Sequence, residues 1–292
     1  MSDDFLHRFQ LERAGVRGAL ARLDAAWQTI RDNTGCDGAL AELLGQTLAA
    51  SALLSSSIKF EGSLSIHLRD SGPLRLLFAE CTHDGHVRGI ARHDGLPPTG
   101  RLPLVPGARL AITIENTTTE TRYQGLVPVE KEGLAAAFED YFVRSEQLPT
   151  RIVLAATPMR CAGMLLQEVA RSGGLSGDID EDGWNRVGHL LDTLTDGELL
   201  ELPPEQLLLR LFHEEDVRLQ PAQPLAFACT CSRERVDGML RALGREEADS
   251  VLAEQGSIEV VCEFCNRRYV LDDADVDALF ADEPPAGEVT VH

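Results

Sequence analysis

Two stretches decide the fold of the C-terminal part of this chain: FACTCSRERVDGMLRALG at residues 227–244 and GSIEVVCEFCNRRYVLDDADV at residues 256–276. They contain two close pairs of cysteines: Cys229 and Cys231, then Cys262 and Cys265. Zinc prefers four tetrahedral ligands and binds thiolates well, so the spacing predicts one zinc ion held by all four sulfurs. The alternative is four unrelated buried cysteines, and their crowding into one short block argues against it.

The residues between the two pairs indicate how the chain returns to the metal. Ser232 is suited to cap a helix that runs to about Leu243, and a second helix and a strand at Ser257–Val261 lead back to the second pair. Four thiolates around a doubly charged ion leave a net charge of about −2. Nearby arginines can offset it: Arg233, Arg235, Arg267 and Arg268. A unit this small rarely has enough core of its own, so the zinc should contribute much of its folding free energy.

Each cysteine pair is also close enough in sequence to form its own local disulfide, and thiolates are the groups that oxidants attack. Oxidation of either pair would remove ligands from the zinc and separate the two halves of the unit. An upstream segment docked with this unit would then loosen as well. We therefore hypothesise a redox-labile zinc site whose loss exposes apolar surface. Many such sites are simply structural, and that alternative stays open.

The segment upstream of the cysteines, residues 179–225, predicts a helical linker that follows a hinge at Ser172–Gly177. One helix face carries four apolar side chains at intervals of three and four residues: Trp184, Val187, Leu191 and Leu194. A second apolar patch follows: Leu207, Leu208, Leu209, Leu211 and Phe212. The segment is too polar and too short for its own core, so it must dock on another surface. The patch is equally compatible with plain core packing and with a face that is uncovered on activation.

Residues 1–178 predict one large α+β domain. Ala39–Ser57 is a long apolar helix candidate, and a second helix from about Glu132 to Gln147 should end before Pro149. Short alternating strands are expected at five places: Ser63–Leu68, Leu74–Cys81, Val87–Arg92, Leu110–Glu115 and Thr150–Ala156. Asp84-Gly85 predicts a hairpin turn. Helices and strands do not alternate regularly, so we expect antiparallel or mixed sheets rather than a doubly wound parallel sheet.

The predicted organisation is therefore an α+β core domain at 1–178, a helical linker at 179–225 and a small zinc-binding domain at 226–292. The chain has 292 residues and a net charge of −20, with 47 acidic against 27 basic side chains. Phosphate binding needs clustered lysine and arginine, so nucleic acid is not expected as a partner. The N-terminus lacks a secretory signal, and polar residues interrupt the longest apolar run, Ala39–Leu54. We expect a cytosolic protein with no membrane span.

These residues resemble a known family. The strings CTCSRER at 229–235 and CEFCN at 262–266 are similar to the signature of the redox-regulated 33-kDa heat-shock chaperone family, the 33-kDa chaperonins. Two further stretches resemble the same family: YFVRSEQLPT at 141–150, and WNRVGHLLDTL with ELLELPPEQLLLRLFHEEDVR within 184–218. The resemblance spans most of the chain and is weakest in the first 60 residues.

The resemblance implies an ATP-independent holdase chaperone of the bacterial cytosol, not an enzyme, that protects thermally unfolding and oxidatively damaged proteins from aggregation. The reduced form would be a zinc-bound, inactive monomer. On oxidation Cys229 would pair with Cys231 and Cys262 with Cys265, the zinc would leave, the linker would unfold and the protein would dimerise. The family's client-binding surface is diffuse and transfers to no single residue. Our candidate for a client or linker face is the apolar set Trp184, Leu191, Leu194, Leu207, Leu208, Leu211 and Phe212.

Three cysteines, Cys36, Cys81 and Cys161, lie outside the signature, and the sequence assigns them no role. Cys81 forms a possible metal-binding motif with His83 and His86. These three residues surround the predicted Asp84-Gly85 turn, where polar side chains are expected, so ordinary turn structure is the favoured interpretation.

Two other short motifs also favour ordinary structure. Ser56-x-x-Lys59 fits the serine–lysine pattern of penicillin-binding enzymes but lacks their second motif. Gly173, Gly174 and Gly177 are suited to hold a phosphate, but no Gly-Lys-Ser/Thr follows them, so a linker is favoured.

Two further classes of function compete with a chaperone. A zinc module that binds nucleic acid is opposed by the strongly acidic stretch 246–283. A thiol-disulfide oxidoreductase would place Cys262-Glu263-Phe264-Cys265 at a helix N-terminus, which lowers the pKa of the first thiol. Here Asn266–Arg268 and the β-rich Tyr269–Leu271 follow, which predicts a hairpin instead.

Overall fold

The computed structural model describes residues 3–69, 74–95, 108–129, 133–169, 180 and 182–281. The chain divides into two compact units, Met1–Ala228 and Cys229–His292. The predicted hinge, its three glycines, the expected domain boundary after residue 178 and the expected helix start at Glu132 lie outside the described residues. The division places the predicted linker segment in the first unit.

The first unit is built from strands and helices whose bounds are as follows. Its strands are β1 (Phe5–Leu11), β2 (Val16–Leu23), β3 (Gly62–Arg69), β4 (Leu74–Thr82), β5 (His86–His93), β6 (Arg109–Asn116), β7 (Thr121–Pro128), β8 (Thr150–Ala156), β9 (Cys161–Glu168), β10 (Val217–Leu219), β11 (Gln223–Pro224) and β12 (Ala226–Phe227). Its α-helices are α1 (Ala25–Thr34), α2 (Gly38–Ser57), α3 (Leu134–Tyr141), α4 (Gly183–Leu191), α5 (Asp196–Glu201) and α6 (Pro204–Phe212).

The first sheet has the order β10-β1-β2-β9-β8, and β11 also pairs with β1. Its described pairs are antiparallel, and β2 and β9 lie at its centre. Because side chains alternate along a strand, the two faces of this sheet serve different cores. One face, with Leu6 and Ala19, packs in the cluster that contains α2, while the other face, with Phe9 and Leu20, packs in a second cluster with α4, α5 and α6.

The second sheet has the order β12-β5-β4-β3-β6-β7. Its long strands pair antiparallel, and the short β12 pairs parallel with β5. The predicted hairpin is confirmed: β4 and β5 are joined through Asp84-Gly85, and Gly85 has the positive φ of 91° that glycine adopts without strain. Helices packed on antiparallel and mixed sheets confirm the predicted α+β class.

Helix α2 is the central element of the first unit and contacts strands of both sheets. By length and composition it is apolar enough to cross a membrane, but 83% of its apolar window is buried inside the unit. The helix lacks a polar face because it is covered on several sides. It therefore has the packing of a core helix, as its sequence predicts.

The helix expected over 132–147 is shorter in the structure. After α3 the chain widens into a π-helical turn, Phe142–Glu146, and Gln147 then adopts a left-handed φ of 53°. The wider turn lets the consecutive rings of Tyr141 and Phe142 both enter the core, where they are 0% and 2% exposed. The helix still ends before Pro149, as predicted.

The sequence did not predict seven strands of the first unit: β1, β2, β7, β9 and the short β10, β11 and β12. Strand β9 is buried at seven consecutive positions and β2 at six, because each lies between two neighbours and under cores on both faces. Strands buried on both faces lose the alternation of apolar and polar residues that reveals a strand.

The second unit is small and consists of α7 (Arg233–Leu243), α8 (Arg245–Gln255), β13 (Ile258–Val261), β14 (Arg268–Leu271) and α9 (Asp273–Phe280). β13 and β14 form an antiparallel hairpin, as the sequence predicts. The three helices and the hairpin share one small core: Val236, Leu240, Ala248, Leu252, Ile258, Leu271, Val276, Leu279 and Phe280.

Candidate metal centre

The first cysteine pair is positioned by the start of a helix. Cys229 and Cys231 lie in non-helical chain immediately before α7. Ser232 caps that helix as predicted, since its Oγ accepts a hydrogen bond from the Arg235 N–H at 3.3 Å. This cap fixes where the helix begins, and with it the direction in which the preceding chain presents its sulfurs.

The second pair lies in the turn of the β13–β14 hairpin. The Cys262 N–H donates to the Arg267 carbonyl at 2.9 Å, and the Asn266 N–H donates to the Cys262 carbonyl at 2.8 Å. Asn266 adopts a left-handed φ of 56°, which asparagine tolerates better than most residues. This turn presents the sulfurs of Cys262 and Cys265 on one side. The pair is thus not at a helix N-terminus, as a thiol-disulfide oxidoreductase would require.

The four sulfurs converge on one point. Sγ of Cys229 lies 3.5 Å from Sγ of Cys262, Sγ of Cys231 lies 3.4 Å from Sγ of Cys265, and all four lie within 4.8 Å of one another. A tetrahedral zinc ion with Zn–S bonds of about 2.3 Å needs sulfurs about 3.8 Å apart. All four cysteines are half-buried. The donor set therefore fits one thiophilic metal ion; that the ion is zinc stays a prediction.

Hydrogen bonds to the sulfurs come from both backbone and side chain. The N–H of Cys231 donates to the sulfur of Cys229, and the N–H of Arg267 donates to the sulfur of Cys265. Cys231 instead accepts from a side chain, the hydroxyl of Tyr269 on β14, with an oxygen–sulfur distance of 3.2 Å. Such contacts orient metal ligands and tune their basicity.

The arginines expected to offset the thiolate charge have different partners. Arg233 and Arg268 form ion pairs with carboxylates, and Arg235 donates to a threonine hydroxyl. Arg267 donates a hydrogen bond to Tyr269 and interacts electrostatically with two of the sulfurs. Of the four, Arg233 and Arg268 add little net positive charge because they are paired with carboxylates, and Arg267 is the one that interacts electrostatically with the sulfurs of Cys231 and Cys265.

The thiols differ in acidity because their surroundings differ. Burial raises the pKa of Cys229 to about 12 and also raises the pKa of Cys265. Burial acts in the same direction on Cys231, but hydrogen bonds from Tyr269 and the other three thiols outweigh it and lower the pKa of Cys231 to about 7. A thiolate at Cys231 is thus accessible at neutral pH, and a thiolate is the form that binds metal.

Comparison with known proteins identifies the family of this chain. The sequence profile described as Hsp33 protein matches residues 4–272. The chain belongs to the Hsp33 family. A 33 kDa chaperonin of Nitrosococcus oceani is 46% identical over 284 residues, which cover 97% of this chain and 96% of that protein. One of Chromobacterium violaceum is 43% identical over 281 residues, covering 95% and 94%.

The fold of an Hsp33 relative has also been solved. The crystal structure of the 33 kDa chaperonin (heat shock protein 33 homolog) of Thermotoga maritima matches with a TM-score of 0.78 and 20% identity, covering 96% of this chain and 98% of that one. At this identity the likeness shows the fold alone. The resemblance to the family is confirmed by the sequence comparisons, and the family and the names of its members support a chaperone.

The apolar linker residues predicted as a client or linker face lie together in this Hsp33 chain. Leu191, Leu207, Leu208, Leu211 and Phe212 are at most 2% exposed and form the second core cluster with the first sheet. Trp184 and Leu194 are partly buried against the same cluster. Leu209 points away and is 64% exposed. The set is therefore core in this conformation, and its role in client binding stays a prediction.

Two arginines that hold the linker were missed by the sequence reasoning. Arg22 on β2 is 2% exposed, and its Nη2 donates to the carbonyls of Leu199 at 2.8 Å and Leu202 at 2.7 Å. Arg160 donates to the Leu200 carbonyl at 3.0 Å. Cations suit the carbonyls at a helix C-terminus, here that of α5. For Arg22 the one available signal was its charge in a strand, β2, that is apolar apart from the exposed Arg17.

The three remaining cysteines are core residues of the first unit. Cys36, Cys81 and Cys161 are buried. Burial raises the pKa of Cys81 to about 11 and places the pKa of Cys161 well above its usual value. A thiol held neutral in this way reacts poorly with electrophiles and oxidants.

The histidines near Cys81 do not converge on a metal. Nδ1 of His83 lies 3.1 Å from the Gly62 nitrogen, and Nδ1 of His86 pairs with Asp84 at 3.0 Å. Within the described ranges, the cysteines of the second unit are the one group of His, Cys, Asp and Glu side chains whose ligand atoms meet. The interpretation of the Cys81 motif as turn residues agrees with these contacts.

Proposed function

We propose that this chain is an ATP-independent holdase that is inactive while its four clustered cysteines are reduced and becomes active when they are oxidised. The observation that carries the proposal is the convergence of four half-buried sulfurs within 4.8 Å in a unit with little core of its own. Such a cluster is both a metal site and a target for oxidants.

In the reduced form, Cys229, Cys231, Cys262 and Cys265 would hold one Zn²⁺. The ion supplies a double positive charge that lets four thiolates lie side by side, and it cross-links the chain before α7 to the β13–β14 hairpin. Tyr269 and Arg267 keep the sulfur of Cys231 in place and partly neutralised. Unfolding of the second unit would then require loss of these ligands.

Oxidation is proposed to join Cys229 to Cys231 and Cys262 to Cys265. Each disulfide forms when an oxidant such as hydrogen peroxide accepts two electrons from two sulfurs, and its formation removes two ligands. The shortest sulfur contacts run across the pairs, at 3.5 and 3.4 Å, so the geometry leaves both pairings open. Local pairing is supported by its effect: disulfides across the pairs would keep the two halves joined, whereas local ones release them. Peptide mapping of the oxidised protein decides between the two.

Chain continuity couples the cysteines to the linker segment. A single residue, Ala228, separates β12 from Cys229. Leu225, which comes directly before β12, is 4% exposed and belongs to the core cluster that contains α2. Loss of structure in the second unit would free the chain that follows Leu225 and β12. The linker helices would then undock and expose the apolar set that includes Leu207, Leu211 and Phe212, which is suited to unfolding client proteins. We further propose a cytoplasmic monomer when reduced and a homodimer when oxidised.

The test follows metal content and chaperone activity together. Peroxide at raised temperature should release about one zinc per chain, and the oxidised protein should suppress light scattering by a heat-unfolding client without ATP. The reduced, zinc-loaded protein should leave scattering unchanged. If zinc is released and the oxidised protein still fails to suppress scattering, the proposal is wrong; zinc retained under strong oxidant also contradicts it.

A further inference from the structure

The hydroxyl of Tyr269 occupies a position that the zinc site itself does not require. The tyrosine lies on β14, opposite Val260 of β13, and its ring is half-buried against the core of the second unit. Phenylalanine would fill the same space. The oxygen, however, reaches out of the core to the sulfur of Cys231 at 3.2 Å.

A second group fixes that hydroxyl. The exposed Arg267 donates a hydrogen bond to Tyr269 and is attracted to the sulfurs of Cys231 and Cys265. A donor that bonds the hydroxyl oxygen makes its O–H a stronger donor in turn. The result is a short hydrogen-bonded chain of Arg267, Tyr269 and Cys231. The guanidinium polarises the hydroxyl, and the hydroxyl donates to the sulfur.

We propose that Tyr269, aided by Arg267, is a positioning residue that lowers the nucleophilicity of the Cys231 sulfur and so slows its oxidation in the zinc-loaded protein. The inference rests on the proposed redox function. The sulfurs of Cys229 and Cys265 accept from backbone N–H groups, which every residue except proline provides. The bond to Cys231 comes from a side chain, so its strength is set by the sequence.

The chemistry that the hydroxyl restrains is ordinary peroxide oxidation. The Cys231 thiolate attacks one oxygen of hydrogen peroxide, the O–O bond breaks and hydroxide leaves, which gives a sulfenic acid. A second thiolate displaces hydroxide from that sulfur and forms the disulfide. Two thiolates thus lose two electrons, and one peroxide with two protons becomes two waters. A hydrogen bond from Tyr269 occupies the lone pair that the first step uses.

The expected change in the reaction rate of the Cys231 sulfur follows from thiolate reactivity. A hydrogen bond to a charged group changes thiolate stability by about one to two factors of ten, and nucleophilicity follows with a Brønsted coefficient of about 0.4–0.5. Tyr269→Phe should therefore raise the rate at which the Cys231 sulfur reacts by about three- to tenfold.

The experiment uses the full-length, zinc-loaded wild-type protein and three variants: Tyr269→Phe, Arg267→Gln and Arg268→Gln. Arg268 is the matched control because it is also exposed and adjacent but pairs with Glu259 at 3.0 Å. Iodoacetamide and, separately, hydrogen peroxide are added for short times, and mass spectrometry gives the modified fraction at each cysteine. Zinc release is followed with a colorimetric chelator.

Tyr269→Phe should speed modification at Cys231 more than at Cys262 and speed peroxide-driven zinc release. Arg267→Gln should act in the same direction but less, and Arg268→Gln should match the wild type. Equal rates at Cys231 in wild type and Tyr269→Phe overturn the inference, as does an equal rise at all four cysteines or an equal effect of the two arginine variants.

The two proposals fail in different ways. If peroxide leaves wild-type zinc in place or the oxidised protein does not protect clients, the redox function falls, while the iodoacetamide rates still test the hydroxyl. If Tyr269→Phe does not retain zinc, the same comparison is made between Arg267→Gln and Arg268→Gln, which leave the core unchanged.

Discussion

The first unit buries two clusters of apolar side chains on the two faces of its first sheet, whereas the described part of the second unit buries nine such side chains. A small core rarely outweighs the conformational entropy of the chain that it orders. We therefore expect the second unit to depend on its sulfurs for stability more than the first does. The cysteines differ in the same way: those of the first unit are buried, and those of the second are half-buried and clustered.

If the proposed function holds, the part of the protein that responds to oxidants is the unit with the smaller core. A fold that depends on four thiolates is lost when those thiolates are oxidised, while a fold that depends on burial is not. We expect the linker helices to have intermediate stability. They belong to the first unit but are held there by one core cluster and a few polar contacts.

Removal of the metal should have the largest effect on the difference in stability between the two units. Structural zinc sites contribute about 10–16 kcal/mol of apparent binding free energy in small peptides, far more than a core of this size. A chelator under reducing conditions should therefore unfold the second unit and leave the two sheets of the first unit folded. Hydrogen exchange measures both at once: amides of β13 and β14 should lose protection, and those of β2 and β9 should keep it. Protection retained in β13 and β14 after complete zinc removal would contradict the dependence.

Truncation of the linker core should come next in size. Phe212, the last residue of α6, is 0% exposed and packs against the first sheet, so Phe212→Ala should cost about 3–5 kcal/mol. Leu209→Ala, in the same helix but 64% exposed, is the matched control and should cost at most about 0.5 kcal/mol. Denaturant unfolding of the first unit within the reduced full-length protein measures both changes in the free energy of unfolding. If the proposed function holds, Phe212→Ala should also protect clients without oxidant. Equal costs would show that the helix does not dock through this face.

A smaller effect is expected at the buried ion pair of the linker. Glu215 is 1% exposed and accepts from Nε and Nη2 of Arg186 at 2.6 and 3.0 Å. Glu215→Gln keeps the volume and removes the charge, which should destabilise the docked linker by about 2 kcal/mol. Glu214→Gln is the neighbouring control, because that side chain is 74% exposed. Exchange rates of α4 amides should rise in the first variant and stay unchanged in the second.

The sequence was most informative where chemistry or turns leave local marks. Cysteine spacing pointed to the cluster, Ser232 to the start of α7 and Asp84-Gly85 to the hairpin, because each depends on residues close together in the chain. The apolar stripe around Val187 and Leu191 also indicated a helix that must dock.

Features set by distant contacts left no such marks. Strand β9 is apolar at six of its seven buried positions, so its pattern does not distinguish a central strand from a buried helix. Arg22 meets the carbonyls of α5 across 177 and 180 residues of sequence. Tyr269 reads as an ordinary strand residue, and its bond to Cys231 depends on how the hairpin folds against the chain before α7.

The smallest expected effect is the absence of reaction at the cysteines of the first unit. Burial raises the pKa of Cys81 to about 11, so at pH 8 roughly one molecule in a thousand carries that thiolate. An unfolded cysteine ionises near pH 8.5, so the stability gained by keeping Cys81 neutral is intact below that pH and is lost as the pH rises toward 11. Alkylation of native protein at pH 8, read by mass spectrometry, should therefore spare Cys81 and Cys161 until denaturant unfolds the first unit. Peroxide-driven zinc release should be the same in Cys81→Ala as in the wild type. Faster release in that variant would tie the first unit's core directly to the oxidation of the second, and the separation of the two kinds of cysteine would fail.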